Sequence, residues 1–96
     1  MFTITGPTLN PSAACAVMSS TATSFGGITI TAAGAGPHLS FSDVLFARAR
    51  WGDYSAAVPG PDGTNLWLAM EYIPPKAHQD PFDDRGTNIF EVAGAL

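Results

Sequence analysis

Residues 50–72 read RWGDYSAAVPGPDGTNLWLAMEY. In a chain with few charges, this stretch gathers Arg50, Asp53, Asp62, Glu71, two tryptophans and two tyrosines around the knot Pro59-Gly60-Pro61-Asp62-Gly63. The knot has a mechanism. Proline presets φ, an Asp side chain caps a turn by accepting backbone N–H bonds, and Gly63 supplies a positive φ. On either side lie Tyr54–Val58 and Leu66–Ile73, both of strand composition. The pattern predicts a β-hairpin in which 54–58 pairs antiparallel with 65–72 across 59–64. Pro74-Pro75 then stops the second strand.

Working outward, the rest of the chain repeats this rhythm. Phe2–Thr5 alternates and stops at Gly6-Pro7. Asn10-Pro11-Ser12 reads as a turn leading into a strand over Ala13–Met18. Gly27–Thr31 alternates, with Ile28 and Ile30 on one face and the threonines on the other. It ends in Gly34-Ala35-Gly36-Pro37. Val44–Ala49 fits a strand or a short helical turn. Residues 76–86, KAHQDPFDDRG, are the most polar stretch and read as a loop, and Thr87–Val92 as a last strand. Strands recurring every 10–15 residues, with no convincing helix beyond two turns, predict an all-β antiparallel fold, either a propeller segment or a small β-sandwich.

Composition narrows the function classes. At 96 residues the chain is one small domain. Only 12% of residues are charged, against about 25% in ordinary globular domains. With 46% hydrophobic residues this argues against disorder, and it leaves the surface weakly protected against self-association. Residues 1–42 contain no Asp, Glu, Lys or Arg, so a long helix there would lack the charged face it needs in water. The net charge of −4 and the absence of a basic run exclude a nucleic-acid-binding surface. Cys15, the single cysteine, excludes an internal disulfide and a multi-cysteine zinc site, and in AACAV it reads as a small buried hydrophobe. No segment approaches the ~20 apolar residues of a membrane helix. The start, MFTITGPTLN, lacks the basic region and long apolar core of a signal peptide.

Arg50-Trp51-Gly52-Asp53-Tyr54-Ser55, with Asp62-Gly63, Trp67 and Glu71-Tyr72-Ile73-Pro74, resembles the C-terminal segment of large secreted bacterial proteins with sialidase-like, BNR-type repeats. In that family an RWGDYS pattern, a short strand, a DG turn, a Trp-bearing strand and an EY pair recur near the end of a β-propeller. Gly6-Pro7, Pro11-Ser12-Ala13-Ala14 and Gly86-Thr87 with the strand Asn88–Val92 look similar, although the likeness is strongest over 50–75. The Asp62-to-Trp67 spacing equals that of an Asp-box turn (S-x-D-x-G-x-T-W), with Gly63 one position early and Leu66 in the Thr place. The resemblance implies a fragment of about two blades from a secreted or cell-surface propeller. It implies that Arg50, Asp53 and Tyr54 belong to a strand start, where the Asp53 carboxylate takes backbone amides or an arginine. It further implies that Trp51 and Trp67 pack between sheets.

Catalysis by this chain alone is not expected. A sialidase-type glycosidase needs an arginine cluster, a tyrosine activated by a glutamate, and an acid. Arg48, Arg50 and Arg85 are present, and Tyr72 adjoins Glu71. Strand neighbours point to opposite faces, however, so Glu71 and Tyr72 are not expected to meet. His78, Asp80, Asp83 and Asp84 depart from the order of a calcium loop and read as solvated charges, with a hard cation as the other possibility. His38 reads as a loop residue, and Gly34-Ala35-Gly36 is too short for a phosphate-binding fingerprint. The expected function is a structural or binding module without cofactor. Its partner is carbohydrate in the full-length parent, with self-association of the isolated chain. The alternatives are part of a carbohydrate-active hydrolase completed by other regions, and an independent sandwich that binds a ligand through Trp51, Tyr54 and Tyr72.

Overall fold

The computed structural model describes residues 1–37, 55–75 and 86–94, and these form two three-stranded antiparallel sheets. The first is β1 (Phe2–Gly6), β2 (Leu9–Cys15) and β3 (Thr29–Ala32). The second is β4 (Ala56–Pro59), β5 (Leu66–Tyr72) and β6 (Gly86–Val92). Each sheet is a meander whose strands lie in chain order. No helix occurs among the described residues, and none there is long and apolar enough to cross a membrane. The all-β expectation therefore holds. The Val44–Ala49 strand and most of the 76–86 loop lie outside the described residues.

The expected hairpin forms, with Ala56 opposite Ala69 and Pro59 opposite Leu66. Gly60 N–H donates to the Asn65 carbonyl at 2.8 Å and closes the loop. Because Gly60 bonds inward to β5, alternation turns the Pro59 nitrogen outward. Proline's missing donor thus falls on the outer edge of the described sheet, where it costs no bond in the ladder with β5.

One turn was misread from sequence. Asn10-Pro11-Ser12 does not precede β2 but lies within it, and the chain reverses at Pro7-Thr8, which leaves Gly6 opposite Leu9. A proline is tolerated in this central strand because regular pairing is interrupted there. The β1 register shifts between Ile4 and Gly6, and β3 pairs with β2 only over Ala13–Cys15. Backbone groups near Pro11 are satisfied another way. The buried Ser12 Oγ donates to the Asn10 carbonyl at 2.7 Å and accepts from Gly34 N–H at 2.8 Å.

The two central strands supply the core. Ala13, Ala14 and Cys15 of β2, Leu68 and Met70 of β5, and Ile73 are buried. Alternation puts Leu66, Leu68, Met70 and Tyr72 on one face of β5 and Trp67, Ala69 and Glu71 on the other. β5 contacts β2 and β1, so the two meanders pack on each other. Residues 12–15 of β2 are all small, and β2 and β5 pack against each other. Two polar links join the sheets. Ala35 N–H donates to the Ile73 carbonyl at 2.8 Å, and Asn88 Nδ2 donates to Thr31 Oγ1, which itself donates to the Ala13 carbonyl. Cys15 is a buried free thiol, as its apolar setting suggests.

On the first sheet the described residues leave several large apolar side chains exposed. Phe2, Ala14 and Ile30 form one cross-strand row, with Phe2 and Ile30 exposed. Met1, Phe2, Phe25 and Ile28 line a groove on this surface, and Phe25 is 65% exposed. The alternation of Ile28 and Ile30 therefore marks an outward apolar face, not a buried one.

Gly34 has no space for a side chain. A Cβ there would collide with the Pro11 carbonyl oxygen and lie 2.9 Å from its carbon, whereas a Cβ on Gly6 would meet nothing within 4 Å. Thermal melts should show Gly34→Ala strongly destabilised, with Gly6→Ala a mild control. Ser12→Ala strips the half-buried Gly34 amide of its acceptor and should cost about 1–3 kcal/mol.

Candidate functional site

The hairpin tip is built residue by residue as its chemistry requires. Gly63 N–H donates to the Gly60 carbonyl at 3.1 Å, which closes a turn with Pro61 and Asp62 at its centre. Gly63 takes φ +71°, the left-handed region that a side chain resists. Asp62 Oδ1 accepts from Thr64 N–H at 3.1 Å and Asn65 N–H at 3.2 Å. The Thr64 amide, then that of Asn65, holds the Asp62 carboxyl below the usual carboxylate range.

Asn65, which sequence reasoning passed over, locks this tip to the end of the chain. Its Nδ2 donates to Glu91 Oε1 at 2.6 Å, and its Oδ1 accepts from Gly94 N–H at 2.9 Å and from Thr64 Oγ1 at 3.3 Å. The partners lie 26 and 29 residues away. No local motif points to them; only the pairing of β5 with β6 brings them near.

The face of the second sheet turned away from the core is a ledge. Val58, Trp67 and Glu91 form one cross-strand row, and Ala56, Ala69 and Ile89 form the next. Glu71 pairs with Thr87 on the same face. Trp67 is 39% exposed, Val58 55% and Ile89 66%. A Cβ on Gly60 would lie 3.4 Å from Trp67 Cδ1, so the indole edge leans over the turn glycine. At the far end, Ser55, Ala56, Ala69, Glu71 and Thr87 line an open groove of about 300 Å³.

Of the residues singled out from sequence, Asp62 and Gly63 form the turn, and Trp67 and Glu71 lie on the ledge. Tyr72 falls on the opposite face from Glu71, as expected for strand neighbours. Its ring lies beside Gly86, where a Cβ would sit 3.1 Å from Cε1. Arg50, Trp51, Gly52, Asp53 and Tyr54 lie outside the described residues, as do the arginines and histidines and residues 78–84. Comparison with protein-family models, with curated proteins and with solved structures finds no match.

The turn is coupled to acid. A carboxyl with a lowered folded pKa adds stability above its ordinary value near 4, and that contribution disappears as pH falls through the folded value. The stability gap between the parent and Asp62→Ala should therefore be widest near neutrality and shrink below about pH 4, as followed by denaturant titration across pH. Asn65→Ala should cost about 1–2 kcal/mol. Asn65→Asp sets a carboxylate against Glu91, so it should be less stable still at neutral pH and recover in acid.

Proposed function

We propose that this chain is a structural or binding module with no complete active site of its own, of the kind found at the end of secreted sialidase-like propeller proteins. Two meanders in chain order, packed through their central strands, suit two partial blades. A small free-standing sandwich suits the same topology equally. The observation that carries the binding role is the exposed row Val58–Trp67–Glu91, which sets a broad aromatic surface beside a carboxylate. An indole on an open ledge can stack against the apolar face of a sugar ring, while acids and amides take its hydroxyls. Carbohydrate is accordingly the proposed ligand class. Glycan-array screening of the full chain, repeated with Trp67→Ala, tests the role. Binding that vanishes with Trp67 supports it, and the absence of any glycan binding reduces the module to a structural one.

Self-association belongs to the same proposal. Phe25, Ile28 and Ile30 are exposed on a sheet from the charge-free stretch 1–42, where no like charges oppose contact between copies. Light scattering after size exclusion should find the chain larger than a monomer, and Phe25→Lys or Ile28→Lys should shift it toward one. A monodisperse monomer with a sharp unfolding transition would favour the free-standing sandwich over the propeller segment.

A further inference from the structure

The tip of the β4–β5 hairpin carries the chain's only Asp-Gly pair, Asp62-Gly63, and the sequence has no Asn-Gly pair. An aspartate followed by glycine is open to a backbone rearrangement, because glycine sets no side chain in the way of its own amide nitrogen. In that reaction the Gly63 nitrogen attacks Asp62 Cγ and a C–N bond forms. The carboxyl hydroxyl leaves with the amide hydrogen as water, and a succinimide ring results. Water then reopens the ring at either carbonyl. One opening restores Asp62. The other leaves isoaspartate, whose main chain runs through Cβ and Cγ and is one carbon longer. The water lost is the water regained, and nothing is oxidised or reduced.

We infer that Asp62-Gly63 is a latent isoaspartate site, guarded by the bonds of the closed hairpin tip and released to react when the tip opens. Burial is not the guard, since both residues are exposed. Bonding is. The two reacting groups must meet, and each is held elsewhere. Gly63 N–H donates to the Gly60 carbonyl at 3.1 Å. Asp62 Oδ1 accepts from the Thr64 and Asn65 amides, and it is seated against Gly60, where a Cβ would lie 3.2 Å from it. Turning Cγ onto the Gly63 nitrogen takes the carboxylate off both amides and the Gly63 amide off Gly60. The same two amides, Thr64 first, hold the carboxyl below its usual range, and an ionised carboxylate has no hydroxyl to lose. The guard reaches across the sheet as well. The Asn65 side chain is fixed to Glu91 and Gly94, which keeps its own amide under the Asp62 carboxylate. Once isoaspartate forms, the extra carbon lies inside the turn and the carboxyl sits on Cα, so Thr64 and Asn65 lose their acceptor. The tip then cannot reclose on its present bonds, and the change outlasts the opening that allowed it.

The test incubates the full chain at neutral pH, folded and in denaturant. Isoaspartate is followed as loss of cleavage before residue 62 by an aspartate-specific endoproteinase, with no change in peptide mass. The denatured chain should convert at least about tenfold faster than the folded one, whose rate is limited by local opening. In denaturant Gly63→Ala should slow the conversion, because a Cβ there hinders the attacking amide. Asn65→Ala, and Glu91→Ala far along the chain, should each speed conversion of the folded chain while leaving the denatured rate unchanged. Circular dichroism verifies that these two variants are folded. Chain purified in the isoaspartyl form should melt at a lower temperature and lose hydrogen-exchange protection at Thr64 and Asn65. Equal rates in the folded and denatured chain would overturn the guard. No isoaspartate at residue 62 in denaturant would overturn the site itself. Folded Asn65→Ala and Glu91→Ala converting at the parent rate would overturn the part assigned to the clasp, and an isoaspartyl chain that melts like the parent would overturn the lasting change at the tip.

Discussion

The assembly of this chain depends on one close approach. Gly34 passes over Pro11 with no room for a Cβ, and this lets its amide reach the buried Ser12 hydroxyl. One residue later Ala35 donates its amide to the carbonyl of Ile73, just beyond β5. The segment that leaves the first sheet is thereby stitched to the end of the second sheet's central strand. Ile73 is 1% exposed, so the stitch joins the exposed Ala35 to a residue of the core. A bulkier residue at 34 would push that segment away and loosen both contacts together.

Around this stitch, apolar burial and polar bonding divide the work. Leu68 and Met70 are buried on a strand that packs against β2, which removes apolar surface from water. Thr31 and Asn88 satisfy each other where β3 and β6 meet. At the opposite end Asn65 joins the hairpin tip to Glu91 and Gly94, so the second sheet is tied at its turn as well as along its ladder. The tip is consequently rigid, and Trp67, leaning over Gly60, is held on a fixed platform. The proposed binding surface and the stability of the hairpin draw on the same residues.

The two sheets leave different surfaces to solvent. The first exposes an apolar face free of charged side chains, suited to contact with another protein surface. The second exposes a ledge of mixed character, with an indole among acids.

Local chemistry determined the hairpin, from residues 54 to 72, because its turn is written in adjacent positions. Pro61 presets φ, Asp62 caps, Gly63 takes the left-handed conformation, and the flanking strands need only fall together. The buried character of Cys15 and the opposite facing of Glu71 and Tyr72 were legible for the same reason, since they follow from composition and strand alternation. The turn at Asn10-Pro11-Ser12 was misjudged because a proline's effect depends on whether its missing amide is needed by a neighbour. Here the break in the β1 and β3 ladders removes that need. Which face of Ile28 and Ile30 is buried was likewise undecidable locally, because alternation defines two faces without saying which one meets the other sheet. The Asn65–Glu91–Gly94 clasp, the Gly34–Ser12 approach and the pairing of Trp67 with Glu91 all join residues more than twenty positions apart. No short-range pattern encodes them; the registers of the two sheets do, and only the folded chain sets those registers.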